Sequence, residues 1–299
     1  MIPEFPQFKH LELSDREDIE KITREYPPYS DFNFTSMWSW DTKGEMQISQ
    51  LNGNLVVKFA DYLTKNPFLS FIGKNQICDT ASRLIDFSVE NYNTDSLMLV
   101  PGEMVSELND FGFSILPDVN ATDYIFSIER LREMHNWVEH QASRGIESFL
   151  KLHSDYTVEF SSIENLKKEK HLDLFSKWAK NKDVKNHTES NEYLAFTRFL
   201  DISNGDIEFV SLYKNDILIG FTAYEVLSND FAIAHFSKAD TKHHSAIYDI
   251  LNWEEAKILN TKKVKYYNWE QDLGIIGLQN SKLKYKPHSF LSKFIIKKS

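Results

Sequence analysis

One order of elements recurs in the two halves of this 299-residue chain: hairpin strands, a helix, a strand, a second helix, a strand. In the first half, Met46 to Leu51 and Asn54 to Ala60 flank Asn52-Gly53, a dipeptide that closes two-residue hairpins because both positions accept positive φ. Phe68 to Ile72 reads as a further strand. Ile77, Ala81, Leu84, Ile85 and Ser88 then recur at helical spacing. A strand over Leu97 to Val100, a short helix over Glu103 to Asp110 and a strand over Tyr124 to Ile128 follow. The second half runs through an antiparallel meander, Ile207 to Tyr213, Ile217 to Leu227 and Phe231 to Phe236, turning at Asn215-Asp216 and Asn229-Asp230. A helix over Ser245 to Leu259, a strand over Val264 to Asn268, a helix over Ile275 to Leu283 and a strand over Phe290 to Ile296 complete it. No sequence identity links the halves, so the repeat is one of pattern. It predicts a mixed α/β fold with helices packed on sheets. The expected domains are residues 1–130 and 155–299, joined by a polar helix over 131–154. A further helix, Asp15 to Glu25 capped by Ser14 and stopped by Pro27-Pro28, precedes the first hairpin.

Cys78 is the only cysteine, so neither an intramolecular disulfide nor a multi-cysteine metal site can form, which fits a reducing compartment. The start has no basic region leading into an apolar stretch, and no run approaches the roughly 20 apolar residues that span a bilayer. The expectation is a soluble cytoplasmic protein without a transmembrane segment. A net charge of −10 argues against general DNA binding. The charge is uneven, however: from Thr261 onward nine lysines (Lys262, Lys263, Lys265, Lys282, Lys284, Lys286, Lys293, Lys297 and Lys298) face only Glu270 and Asp272. That excess reads either as a face for a phosphate-bearing ligand or as solvated edge lysines that guard against aggregation.

The run Asn268-Trp269-Glu270-Gln271-Asp272-Leu273-Gly274-Ile275-Ile276-Gly277-Leu278, followed by Lys282, Tyr285 and Pro287, stands at the end of a strand, where α/β sheets place ligands. It resembles the Asn-x-Glu-Gln-Asp-x-Gly-Ile-x-Gly-Leu signature of the phosphatidylglycerol lysyltransferase C-terminal domain family. Tyr29-Ser30-Asp31-Phe32-Asn33-Phe34 with Trp38-x-Trp40-Asp41, and Asp118 to Ile125, resemble two other segments of that family. The resemblance implies two tandem acetyltransferase-like (GNAT) domains, the same order of elements that the pattern gives. It also implies an acyl- or aminoacyl-transferase, with the site in the C-terminal domain and a coenzyme A thioester or aminoacyl-tRNA as donor. Two departures stand out. Trp269 replaces the family's usual Arg, and of the family's basic stretch only Arg144, Ile146 and Phe149 fit, which bears on the use of aminoacyl-tRNA.

On an extended segment Glu270 and Asp272 point the same way, and a carboxylate there can take the proton of an attacking amine. The alternative is structural, with Asp272 accepting free N–H groups of the next helix. Tyr285 stands where acetyltransferase folds place a phenol toward the leaving thiolate, or else in the core. The loop before the main helix has no glycine, so Lys242, His243 and Ser245 would hold a donor phosphate by side chains, and Asn268, Gln271 and Lys282 would line the same ligand. His243-His244 lacks a third metal ligand, and no metal is expected. His235 either lines the site or is satisfied in the core. The aromatics Phe32, Phe34, Trp38 and Trp40 read as core or as a binding wall. No nucleotide-loop, nucleophile-elbow or zinc-protease motif occurs. The sequence thus supports a transferase, with a degenerate fold kept as a binding or regulatory module as the alternative.

Overall fold

The computed structural model describes residues 1–60, 66–106, 108–203, 206–227, 230–242 and 246–299. Two units emerge. One comprises Met1–Asp123, Gln271–Ile276 and Phe290–Ser299, the other Tyr124–Glu270 and Gly277–Ser289. The expected boundaries at 130 and 154 are therefore corrected, as is the assignment of the C-terminal segment to one domain. The reason is strand pairing: Lys293–Lys298 completes a sheet of the first unit.

In the first unit, β1 (Lys9–His10), β2 (Gln47–Leu51), β3 (Asn54–Ala60) and β4 (Pro67–Ile72) form an antiparallel sheet in that order. The β2–β3 turn takes φ of 56° at Asn52 and 79° at Gly53, the positive pair that this dipeptide supplies. The helix Ile77–Tyr92 buries Ile77, Ala81, Leu84 and Ile85, the expected stripe, and ends where Asn93 turns left-handed. β5 (Ser96–Pro101) and β6 (Phe113–Pro117) flank the C-terminal strand Lys293–Lys298, antiparallel on both sides. Phe32 and Phe34 are core residues, whereas Trp40 is exposed. Near the start the α-helix is shorter than expected, Arg16–Thr23. Asp15 and not Ser14 organises its entry, by accepting the Glu12 N–H from within a preceding 3₁₀ turn.

Six strands of the second unit, β7 (Asp123–Ser127), β8 (Thr157–Ser162), β9 (Ile207–Lys214), β10 (Ile217–Val226), β11 (Phe231–Ala239) and β12 (Tyr266–Asn268), stand in the order β7-β12-β11-β10-β9-β8. All neighbours are antiparallel except β11 and β12. A parallel pair needs a crossover, and the helix Ile247–Thr261 supplies it. This helix buries Ile247, Ile250, Leu251 and Leu259 on the sheet. It packs closely: a Cβ at Gly220 of β10 would lie 2.8 Å from Ile247 Cγ2. The segment expected as a polar link is part of this core, because Ala142, Ile146 and Phe149 of the helix Gln141–Leu152 line one buried stripe. No helix among the described residues is long and apolar enough to cross a membrane.

Candidate functional site

β11 and β12 pair in parallel only as far as Ile233 and Asn268, and β11 then runs on to Ala239 without β12, still paired with β10. Parallel strands that part at their carboxyl ends leave open backbone and a gap, the usual place for a ligand in α/β sheets. The chain leaving β12 is held tightly there. Asn268, fully buried, accepts the Glu270 N–H through its side-chain oxygen at 2.7 Å, an Asx turn that carries Glu270 to a φ of +57°. The Glu270 carbonyl accepts from the Tyr124 N–H at 3.1 Å and from Lys282 Nζ at 3.0 Å. Lys282 also donates to the Trp269 carbonyl at 2.5 Å. Its ammonium therefore anchors the backbone on either side of the Trp269–Glu270 peptide.

The Glu270 side chain remains 19% exposed, and its Oε1 lies 3.9 Å from His235 Nδ1. On the far side of that ring, His235 Nε2 lies 3.6 Å from Glu225 Oε2, and both of these side chains are only 2% exposed. His235 owes its orientation to a bulge. Ala223 pairs with Phe236 and Tyr224 with Ala234, so His235 is the extra residue on β11 and leaves the strict in–out alternation.

The other expected residues are distributed differently. The left-handed turn at Glu270 breaks the extended segment that would have placed Glu270 and Asp272 on one face. Glu270 belongs to the second unit and Asp272 to the first. Asp272 is buried and accepts the Gly274 N–H at 2.8 Å, closing a turn in which Leu273 and Gly274 have φ of 55° and 70°. Gln271 lies 2.6 Å from Ser30 Oγ. Tyr285 is buried and donates to Asp249 Oδ1 at 2.6 Å, with Lys284 on the same oxygen at 2.5 Å. Burial and the neighbouring carboxylate push the Tyr285 phenol well above its ordinary range. Lys242 is exposed, and its N–H is bonded to Asp240; His243 and Ser245 lie outside the described residues.

Sequence reasoning missed two things. The first is the His235–Glu225 pair, for which the bulge leaves no periodic signal. The second is Lys293, counted above with a basic face. It is fully buried, 2.7 Å from Asp123 and also paired with Asp31. Most of the C-terminal lysines are matched in the same way: Lys262 with Glu208, Lys265 with Asp230, Lys284 with Asp249, Lys297 with Asp95 and Lys298 with Asp86. The local charge excess is thus largely neutralised by carboxylates from elsewhere in the chain. Trp269, in place of the family's Arg, packs on Phe126 at a tilt of 35° with ring centroids 4.1 Å apart and meets Tyr285 edge-on at 5.1 Å. Among the described residues, no group of three acidic, histidine or cysteine side chains is placed to hold a metal ion.

Similarity to known proteins accords with this arrangement. A conserved protein of unknown function from Bacteroides thetaiotaomicron superposes with a TM-score of 0.81 at 24% identity, over 100% of both chains. L-PGS from Bacillus licheniformis gives 0.65 at 11% identity, over 100% of this chain and 94% of that one. FemX gives 0.59 at 10% identity, over 97% and 96%. These likenesses establish the fold alone, the mixed α/β fold expected from the sequence. No curated protein sequence matches the chain. The family described as phosphatidylglycerol lysyltransferase, C-terminal, matches residues 23–297, and the chain belongs to that family.

Proposed function

We propose that the chain is an acyl- or aminoacyl-transferase that moves an activated acyl group to an amine or hydroxyl acceptor, with its site at the parting of β11 and β12. The observation that carries this reading is the Glu270 carboxylate, partly exposed on a backbone fixed by Asn268, Tyr124 and Lys282. In the reaction the acceptor nitrogen or oxygen attacks the donor's carbonyl carbon, and Glu270 takes the proton that the acceptor loses. The bond from that carbon to the donor's sulfur or ribose oxygen breaks, and the departing atom leaves with the electron pair. A clamped backbone around a single carboxylate suits catalysis by positioning. Family membership supports a transferase, and the donor proposed is an aminoacyl-tRNA or a coenzyme A thioester. The lone cysteine is consistent with action in the cytoplasm.

A second reading, a binding module on a degenerate transferase fold, draws on Tyr285 and Asp272. Both are engaged by structural partners, and Tyr285 is no free proton donor for a leaving group. Thermal unfolding with coenzyme A, acetyl-coenzyme A and lysyl-tRNA separates the two. A donor at ~100 times its dissociation constant stabilises by about 2.7 kcal/mol. A shift with one donor, together with loss of transfer in Glu270→Gln, supports the enzyme. No shift with any of them sinks it in favour of the module.

A further inference from the structure

Glu225, His235 and Glu270 come from three successive strands or their ends and line up as carboxylate, imidazole, carboxylate, each ring nitrogen facing a different acid. An apolar residue at position 235 would suit the surroundings, since Phe199 packs against the ring at 5.3 Å and Phe236 follows in sequence. Keeping a histidine and a glutamate almost fully buried instead carries a desolvation penalty that packing alone does not offset. The bulge that turns His235 out of register adds a second irregularity at the same place, and such bulges re-aim side chains beside sites. Only Glu270 of the three has appreciable exposure, so the array runs from the interior outward to the carboxylate at the strand parting.

We infer that His235 is a positioning residue for acyl transfer, orienting the Glu270 carboxylate from behind and itself fixed by Glu225. The inference rests on the transferase reading given above. The logic is that of any base oriented by a neighbouring group: Nδ1 faces Glu270, and Glu225 on the other side holds the ring in place. The separations of 3.6 and 3.9 Å are longer than hydrogen bonds, as is common for catalytic contacts before substrate tightens them. Among the described residues, the titratable groups facing the imidazole are Glu225 from β10 and Glu270 from the end of β12.

The test follows hydroxamate formation on the full-length protein, from lysyl-tRNA or acetyl-coenzyme A with hydroxylamine as acceptor. His235→Gln is expected to keep the donor-induced thermal shift and donor KM of the native protein while kcat falls by about 100-fold, the size of a positional loss. Native kcat in His235→Gln overturns the inference, with the transferase reading left standing. If the native protein responds to no donor, the transferase reading fails first and takes the positioning role with it.

Discussion

The Tyr267 hydroxyl donates to Glu255 Oε1 at 2.6 Å, and Thr222 donates to the same oxygen at 2.9 Å. Burial on the sheet-facing side of the crossover helix, which carries it, pushes the Glu255 carboxyl up from 4.5 to about 8, against these two donors, which favour the charged form. The folded state therefore holds a proton that the unfolded state has lost. Stability from this group is full below pH 4.5, declines as pH rises toward 8 and levels off above it. Glu255→Gln keeps an acceptor for both hydroxyls and has nothing to titrate. The native melting temperature should fall more steeply than that of the variant across this window. Parallel melting curves would sink the assignment.

Lys293 gives the largest expected loss. Its ammonium is fully buried beside Asp123 and Asp31, with Ser30 Oγ 3.0 Å away. Removing one partner of a buried pair leaves uncompensated charge and costs about 3–5 kcal/mol. Lys293→Met should show this in urea unfolding, while the exposed Lys297→Met should lie within about 1 kcal/mol of native. Equal effects for the two would contradict the buried pair.

How these features escaped the sequence is instructive. The turns at Asn52-Gly53 and Asn215-Asp216 were legible because positive φ is a local demand met by local residue types. Helix Ile77–Tyr92 was legible because its stripe is apolar. Lys293 looked like a surface lysine because its acidic partners are remote in sequence. The helix Gln141–Leu152 looked like a link because most of its face is polar, although Ala142, Ile146 and Phe149 suffice to bury it. The edge strand β8 was missed because its alternating run holds only two apolar residues, Val158 and Phe160, both exposed. At the site, Glu270 was identified through the motif, but the geometry assumed for it was wrong. Alternation of side chains holds only while the backbone stays extended, and the Asx turn ends that at Asn268.

Tyr285 and Gly145 make a linked prediction. A Cβ at Gly145 would lie 2.7 Å from Asp249 Oδ2, and that carboxylate is held by Tyr285 and Lys284. Gly145→Ala should therefore destabilise by about 1–3 kcal/mol, outweighing the gain of about 1 kcal/mol that alanine brings to a helix. Tyr285→Phe should cost about 1 kcal/mol for one lost hydrogen bond and leave transfer unchanged. Denaturant unfolding and the hydroxamate assay read both. A stabilised Gly145→Ala would mean that Asp249 is free to move, and a dead but folded Tyr285→Phe would return the phenol to the chemistry.

Asn268 separates the scaffold of the site from its chemistry. Its side-chain oxygen fixes the Glu270 N–H. Asn268→Ala removes the acceptor, lets Glu270 relax from its left-handed backbone and costs about 1–3 kcal/mol for the buried group left unsatisfied. Displacing the carboxylate by about 1 Å should lower transfer by about 100-fold. Asn268→Asp keeps an acceptor oxygen at the same place and should retain the turn, so its loss of transfer should be much smaller than that of Asn268→Ala. The two variants compared in one assay read the geometry of Glu270 apart from its charge. Equal rates in both would show that the turn does not set the position of the base.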